Sequence, residues 1–228
     1  MPIILGPGIS VGPGITIASI PAPVPLISLQ SAPSSGTTWT DASGNGYNAT
    51  VSGGSTYTAA NGGGLILNGG YIDIPYNIAS NTFSISMAIT PNPSTYWTTF
   101  WGNDSYNAGK GYLAYMVNAT ALSSGSPTGA QSTVVSGLTS LAIWDWVCSG
   151  TTMTVYKNGS QIGTGTFTAP AGGFATNNLF WGARHTNTGV GATDVMPGTF
   201  YLFQYYNSSL TGAQVLNNFN TNRSRFGL

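Results

Sequence analysis

Residues 156–163 read Tyr156-Lys157-Asn158-Gly159-Ser160-Gln161-Ile162-Gly163, and they carry the strongest short-range signal in the chain. An Asn-Gly pair between two alternating runs predicts a β-hairpin with a type I′ turn, because both central residues of that turn need a positive φ. The same alternation of apolar and polar residues occurs in Phe83-Ser84-Ile85-Ser86-Met87. A period of two is typical of a strand that buries one face. We therefore expect antiparallel strands joined by tight turns.

From about residue 35 onward, the chain is a series of short apolar runs separated by turns rich in Gly, Asn and Ser. No stretch of helical periodicity separates these runs, which favours an antiparallel β-sandwich over an α/β fold. A single all-β domain of this size can bury a full core. The predicted strands are Leu65–Leu67, Tyr71–Ile74, Phe83–Thr90, Thr98–Gly102, Tyr112–Val117, Gln131–Val135, Leu141–Ser149, Thr151–Lys157, Gln161–Phe167, Leu179–Ala183 and Gly198–Tyr206.

One helix is predicted near the C-terminus, at Thr211–Asn220. Thr211 stands at the N-cap position and Gln214 follows three positions later, which is the pattern of a capping box. Val215, Leu216 and Phe219 are predicted to share one face of this helix, and that face should pack on the sandwich.

The first 34 residues differ from the rest of the chain and are predicted to form an extended arm, followed by the domain at 35–228. Gly-Pro-Gly-Ile occurs twice, at 6–9 and 12–15, and both Pro and Gly disfavour regular secondary structure. A flexible linker is the alternative, but linkers are usually polar. An apolar arm needs a surface that covers it, so we expect it to assemble with neighbouring copies or another protein. The apolar arm residues are Ile3, Ile4, Leu5, Ile9, Val11, Ile15 and Ile17.

Carboxylates are scarce in this chain, which has no glutamate and five aspartates: Asp41, Asp73, Asp104, Asp145 and Asp194. Glycosidic hydrolysis usually needs two carboxyl groups that face each other across the bond, and these five lie far apart in the sequence. His185 and Cys148 are each the only residue of their type, so a nucleophile would have few partners. We expect no catalytic site, a buried structural thiol at Cys148 and an exposed loop position for His185.

The chain carries little charge, with 4% charged residues and a net charge of zero at pH 7. Two lysines and three arginines form no basic stripe that could neutralise phosphates, so nucleic acid is not an expected partner. No run of 18 apolar residues is present, so membrane insertion is not expected either. The N-terminus lacks the Lys/Arg-led region of a signal peptide. An uncharged surface gives a free monomer little colloidal protection, which favours assembly into a homo-oligomer.

Three segments together resemble a known class of domains. The first, Trp39-Thr40-Asp41-Ala42-Ser43-Gly44-Asn45-Gly46-Tyr47-Asn48-Ala49-Thr50, resembles the opening of laminin-G-like, concanavalin A-like jelly rolls, and 156–163 resemble their hairpin. Residues 198–211 resemble their final strand, and Phe219-Asn220-Thr221-Asn222-Arg223-Ser224-Arg225-Phe226-Gly227 is most similar to the close of such domains in bacteriophage virion proteins. The resemblance covers 36–228 and implies an all-β antiparallel β-sandwich, a jelly roll with an extended N-terminal arm and one short C-terminal helix.

The resemblance implies a virion structural protein: a capsid decoration, fibre or tail-associated subunit that contacts other virion proteins and copies of itself. A lectin-like carbohydrate-binding module that attaches the particle to host-surface glycans is the alternative, and the two roles can coexist. A glycan-active enzyme is a third interpretation, which the absence of glutamate disfavours. Relatives sometimes bind calcium through loop carboxylates, which makes Asp41 a calcium candidate. Since calcium takes about six to eight oxygen ligands, the expected role of Asp41 is instead to form a turn, and no cofactor is expected.

A candidate ligand-binding region lies at 97–112, where aromatic rings occur together with amides and a carboxylate. Rings can stack on sugar faces, and Asn and Asp can bond to sugar hydroxyls. Most of the nearby rings of Phe100 and Trp101, with Phe180 and Trp181 on a second predicted strand, are expected in the sandwich core. The candidate ligand-binding residues are Trp97, Asn103, Asp104, Tyr106 and Tyr112.

Overall fold

The computed structural model describes residues 21–92, 97–118, 121–127, 129, 131–134, 138–186 and 191–228. These residues form β-strands, two short 3₁₀ turns at Ala60–Gly62 and Tyr106–Ala108, and the helix α1 at Gly212–Phe226. The strands are β1 (Ile27–Leu29), β2 (Thr38–Trp39), β3 (Ala49–Ser52), β4 (Ser55–Thr58), β5 (Gly64–Leu67), β6 (Tyr71–Ile74), β7 (Thr82–Pro91), β8 (Thr99–Gly102), β9 (Leu113–Asn118), β10 (Ala121–Gly125), β11 (Gln131–Val134), β12 (Ala142–Ser149), β13 (Thr152–Lys157), β14 (Ser160–Thr166), β15 (Leu179–Trp181), β16 (Arg184–His185), β17 (Ala192–Thr193) and β18 (Gly198–Tyr206). In this part of the chain, no helix has the length and apolar character needed to cross a membrane.

Two large antiparallel sheets form a sandwich, which confirms the predicted fold class. Sheet A has the order β14-β13-β12-β7-β18-β5-β4, and β1 also pairs with β18. Sheet B has the order β11-β10-β9-β8-β15-β6-β3-β2, while β16 and β17 form a small separate ribbon. Neighbours in the sheets are often distant in sequence, as when β7 pairs with both β12 and β18. The sandwich therefore closes through long-range pairing of strands.

The core between the sheets is built largely from aromatic side chains. Phe100 and Trp101 on β8 meet Trp146 on β12, with ring centroids 5.3 and 6.2 Å apart. Trp181 on β15 packs on Phe203 of β18 at 5.3 Å. All five rings are fully buried. The expectation that most of the paired aromatic rings lie in the core is confirmed for Phe100, Trp101 and Trp181, because inward-facing rings from both sheets are needed to fill the space between them. Phe180 is buried outside this core, where it stacks on Tyr71 and His185.

Each predicted strand is present, with ends shifted by one or two residues in most cases. The predicted hairpin turn is confirmed, since Asn158 and Gly159 have φ values of 52° and 75° and join β13 to β14. The strands that the sequence did not predict are short or poor in β-branched residues, such as β10 with the sequence Ala-Leu-Ser-Ser-Gly. β10 forms because β9 and β11 flank it and satisfy its backbone groups.

The first strand lies within the segment 1–34 that the sequence assigns to the arm. Ile27 and Leu29 of β1 are fully buried and pair with Tyr205 and Phe203 of β18. β5 pairs only with the first residues of β18, which leaves the remainder of that edge open for β1. The sandwich therefore includes part of the predicted arm. The arm residues Ile3, Ile4, Leu5, Ile9, Val11, Ile15 and Ile17 lie outside the described residues.

The C-terminal helix begins as predicted and ends later than predicted. Val215 and Phe219 of the predicted apolar face are buried, whereas Leu216 is exposed. The capping box is formed: the Gln214 N–H donates to Thr211 Oγ1 at 3.2 Å, and the Thr211 N–H donates to Gln214 Oε1 at 2.9 Å. The helix continues beyond the predicted end at Asn220, and Gly227 closes it with a φ of 67°. Arg225 holds this last turn to the sandwich through Nε, which donates to the Asn61 carbonyl at 2.6 Å. That anchor is a tertiary contact, so helix periodicity could not predict it.

His185 and Cys148 are both buried, and only the second was predicted to be so. Burial raises the pKa of the Cys148 thiol to about 12, as expected for a structural cysteine. The prediction of an exposed loop position for His185 is wrong, because its side chain is 5% exposed. The β16–β17 ribbon turns the ring inward, where it stacks on Phe180 at 3.8 Å and Nε2 contacts the Asn178 carbonyl at 2.7 Å.

Candidate functional site

An open pocket of about 250 Å³ lies between β9 of sheet B and the β16–β17 ribbon, with residues of the connecting segments completing its wall. Its walls combine exposed aromatic rings, a guanidinium and a carboxylate, which is the mixture of apolar surface and few polar groups typical of ligand sites. The lining residues are Trp97, Tyr106, Leu113, Tyr115, Pro127, Arg184 and Asp194.

Trp97 forms the most exposed aromatic wall of this pocket. Its side chain is 59% exposed, and its ring stacks on Tyr115 at 5.6 Å with an interplanar angle of 21°. The Trp97 N–H donates to the Met116 carbonyl at 2.9 Å, which fixes the residue against β9. Tyr106, in the 3₁₀ turn, is 43% exposed. An exposed indole on a fixed backbone can offer a flat apolar face to a ligand.

Two pocket residues have an unusual backbone conformation. Trp97 has a φ of 69° and Asp194 a φ of 53°, both in the left-handed region that non-glycine residues rarely adopt. The other described non-glycine residues with positive φ are Asn61 and Asn158, and since Asn and Asp both tolerate this region, Trp97 is the exceptional residue of the four. The Thr99 N–H donates to the Asp194 carbonyl at 2.8 Å and so connects the two pocket segments. Residues in such backbone conformations carry strain on the order of 1–3 kcal/mol each, and they are typically concentrated at functional sites.

Arg184 is the centre of the polar side of the pocket. Nη1 donates to Asp104 Oδ2 at 2.8 Å, and Nε donates to Asp194 Oδ2 at 2.7 Å. The guanidinium also lies over the Tyr106 ring, 5.2 Å from its centroid. Two charge-assisted hydrogen bonds and a ring contact hold the side chain in one orientation.

Asp104 lies beneath Arg184 and does not face the pocket. Its side chain is fully buried, and burial raises its pKa to about 6 even though Arg184 acts in the opposite direction. Gly102 makes room for this pair, because a Cβ at that position would lie 2.9 Å from the Arg184 Cβ. Any larger residue at 102 would displace Arg184.

The structure divides the sequence-predicted binding residues into two groups. Trp97 and Tyr106 line the pocket, whereas Asn103, Asp104 and Tyr112 are interior. Asn103 Oδ1 accepts the Tyr112 N–H at 3.0 Å, so its side chain closes the loop between them. The expectation that these three contact a ligand directly therefore requires correction, because their side chains do not reach the pocket surface, and only Asp104 is connected to the pocket, through Arg184.

Sequence reasoning missed Arg184 and Asp194, which come from the β16–β17 ribbon and the turn that follows it. The signal that could have indicated Arg184 was the rarity of cations in this chain, since each arginine or lysine among so few is a candidate for a specific polar contact. The structure also brings together Asp104 and Asp194, which lie far apart in the sequence. They share Arg184, and only Asp194 lines the pocket.

The carboxylate of Asp41, the calcium candidate, already accepts hydrogen bonds from its own loop and from β1. Oδ1 accepts the N–H groups of Ser28 at 2.8 Å and Ser43 at 2.9 Å. Oδ2 accepts the Ser43 hydroxyl at 2.7 Å and the Tyr47 N–H at 3.1 Å. Burial acts to raise the pKa of Asp41, but these hydrogen bonds outweigh it and the pKa is lowered. Among the described residues, no three His, Cys, Asp or Glu side chains come together in a way that could hold a metal ion.

Comparison of this chain with known proteins gives matches at the level of structure alone. No protein-family model matches it, and no curated protein sequence matches it. Domain 4 of AbnA, an extracellular GH43 arabinanase from Geobacillus stearothermophilus solved with arabinotriose, aligns with a TM-score of 0.61 and 20% identity over 78% of this chain and 91% of that domain.

Binding domains of botulinum neurotoxins align as well. A type C structure described as depending on two ganglioside molecules for cell entry has a TM-score of 0.64 and 17% identity, over 87% of this chain and 51% of that one. A type DC binding domain in complex with rat synaptotagmin II has a TM-score of 0.64 and 16% identity over the same shares. This chain spans about half the length of those neurotoxin domains. Its jelly-roll β-sandwich fold is thus shared with these solved structures.

Proposed function

We propose that this chain is a glycan-binding β-sandwich domain and that the pocket at Trp97 holds one sugar residue. The observation that carries the proposal is the exposed, strained Trp97 beside the Arg184–Asp194 pair. The indole and the Tyr106 ring supply flat apolar faces, while the carboxylate and guanidinium supply acceptors and donors for hydroxyl groups. A volume of about 250 Å³ is just below the range of about 300–1,000 Å³ for drug-sized ligands and suits a single ring.

The structural neighbours support this proposal at the level of fold. One is a domain solved with arabinotriose, and another is described by its interaction with gangliosides. We propose binding without hydrolysis, because one of the two carboxylates near Arg184 is interior and cannot reach a glycosidic bond. Incubating bound oligosaccharides with the protein should leave their chain length unchanged by mass spectrometry.

We further propose that the domain is a virion structural subunit, a capsid decoration, fibre or tail-associated protein, which uses the pocket for host attachment. The support is the resemblance of 219–227 to the close of such domains and the apolar Gly-Pro-Gly-Ile repeats at 6–15. In this proposal, the partners are other virion proteins, copies of itself and a host-surface glycan.

Replacing Trp97 with glycine should weaken glycan binding by at least about tenfold, because the stacking face is removed. Glycine is preferred to any other residue for this test because it adopts the φ of 69° without strain, so that only the ring is lost. Binding would be measured first on a glycan array and then by calorimetry on the glycans that bind. Tyr57→Ala is the matched control, because this exposed ring lies on β4 of sheet A. Equal losses in both variants, or no loss in Trp97→Gly, would place the binding surface elsewhere.

Deleting Met1–Ile20 should leave a folded sandwich that no longer assembles. The described core begins at β1, so the deletion removes none of it, while the apolar arm residues are lost. Ordering such an arm costs about 1–2 kcal/mol per residue in backbone entropy, and extensive contact with a partner would have to offset that cost. Circular dichroism would report folding, and light scattering together with incorporation into particles would report assembly. Normal incorporation of the truncated protein would contradict the assembly role.

A further inference from the structure

All ten charged residues of this chain are described, so the charge around the pocket can be counted completely. Asp194 and Arg184 line the pocket, and Asp104 lies directly behind Arg184. Asp104 Oδ2 lies 2.8 Å from Arg184 Nη1, and this ion pair favours the carboxylate form of Asp104. Two carboxylates therefore share one guanidinium, and the cluster has a net charge of −1.

No other cation of the chain lines the pocket to offset that charge. Lys157 lies over the Trp144 ring at 5.1 Å on sheet A, and Arg223 and Arg225 belong to α1. Lys110 is on the loop after Tyr106 but is not among the lining residues. An incoming anion would thus meet a negative cluster with no free counter-charge at its wall.

Arg184 is also poorly placed to bind an anionic ligand itself. Its Nε and Nη1 are committed to Asp194 and Asp104, and Nη1 also donates to the His185 carbonyl at 3.2 Å. Its side chain is only 12% exposed. Turning the guanidinium toward a ligand carboxylate would leave Asp104 buried without its ion-pair partner, which is strongly unfavourable.

From this arrangement, and resting on the proposed function, we infer that the pocket selects an uncharged sugar residue and rejects sugars that carry a carboxylate or sulfate. A neutral ring loses little on desolvation against Trp97 and can bond to Asp194 through its hydroxyls. An acidic ring loses hydration and is repelled by the cluster. Specificity then comes from the unfavourable charge as much as from the favourable contacts.

The test compares matched neutral and acidic glycans on the intact protein, such as lactose with 3′-sialyllactose and glucose-terminated with glucuronate-terminated oligosaccharides. At low ionic strength, we expect the acidic member of each pair to bind at least about tenfold more weakly, with a smaller difference at high salt. Acidic glycans that bind as well as neutral ones, through a surface lost in Trp97→Gly, would overturn this inference and leave the proposed function standing. Absence of any glycan binding, or binding that Trp97→Gly does not change, would overturn both.

A variant pair isolates the charge effect. Asp194→Asn takes the cluster from −1 to neutral and should reduce the preference for neutral over acidic glycans by about tenfold. Thr56→Lys makes the same change in total charge at the exposed edge strand of sheet A and should leave the preference unchanged. Equal effects of both variants would attribute the selectivity to the overall charge of the protein and contradict the role of the cluster.

Discussion

Replacing Asp145 with asparagine should stabilise this protein by about 2–4 kcal/mol at pH 8, as measured by denaturant unfolding. Asp145 lies on β12 between sheet A and α1, and its side chain is 1% exposed. Neither carboxylate oxygen makes a well-formed hydrogen bond within the described residues. An isosteric amide removes the buried charge and preserves the packing.

The surroundings of Asp145 explain why its charge is so unfavourable. Burial raises its pKa from 3.8 to about 7, and the nearby polar groups of Ser86 and Asn218 offset only part of that rise. The Asn218 side-chain amide donates to Ser86 Oγ at 3.1 Å, so part of their bonding capacity is used between them. Tyr156 and Tyr206 flank the site, and the charge of Asp145 raises their pKa values further. None of these neighbours carries a compensating positive charge.

The effect of Asp145→Asn should depend on pH in a defined direction. Below about pH 4, the aspartate is protonated in both states, so the two proteins should be equally stable apart from small packing effects. Between pH 4 and 7, Asp145 is deprotonated in the unfolded chain but keeps its proton in the native protein. The free energy of unfolding of the parent protein therefore falls by up to about 1.4 kcal/mol per pH unit relative to that of the variant. Above pH 7, the difference should be constant. A variant no more stable than the parent at pH 8 would show that the native state accommodates the charge.

Replacing Asp41 with alanine should destabilise the protein by about 3 kcal/mol at pH 7. Its carboxylate accepts three backbone N–H groups and one hydroxyl, and the Ser28 N–H on β1 is buried where water cannot replace the acceptor. Because the pKa of Asp41 is lowered, its contribution is present above about pH 4 and is lost as pH falls below that value. Thermal or denaturant unfolding from pH 2 to 7 would measure both effects.

Two further variants test whether the loss of stability in Asp41→Ala comes from the lost hydrogen-bond acceptors. Asp41→Asn keeps one acceptor oxygen and should lose an intermediate amount of stability. Asp73→Ala removes a carboxylate with a single side-chain hydrogen bond, from Asn178 at 2.8 Å, and should lose less than about 1 kcal/mol. A loss in Asp41→Ala as small as that in Asp73→Ala would contradict the role of Asp41 in joining β1 to its loop.

The two aspartates show why residue type alone did not predict these opposite effects. Asp41 stands in a Ser-Gly-Asn-Gly loop whose composition indicates turns and local N–H acceptors, and its structural role was predicted on that basis. Asp145 stands in an apolar strand between Trp144 and Trp146, and period-two alternation places it on the face away from the core. That face is covered only because α1 packs across it, and nothing local to β12 indicates this.

The candidate site also contains residues that the sequence predicted correctly and residues whose orientation it could not predict. Trp97 and Tyr106 were predicted from an aromatic and amide-rich loop, and both line the pocket. Asn103 and Asp104 belong to the same loop, but the chain turns them inward to bond Tyr112 and Arg184. Sequence composition identifies a loop with binding chemistry, while the path of the backbone decides which side chains reach its surface.

The longer strands, the Asn158-Gly159 turn and the helix cap at Thr211 could be predicted from the sequence, because each depends on neighbours within a few residues. Tertiary structure alone decided that β1 joins β18, that α1 buries Asp145 and that Arg184 sits between Asp104 and Asp194. These contacts join residues about 80 or more positions apart in two cases, and their free energy depends on the burial that the completed sandwich creates. Local periodicity carries no information about such distant pairs, so the grouping of Arg184 with Asp104 and Asp194 at the pocket could not be predicted from the sequence.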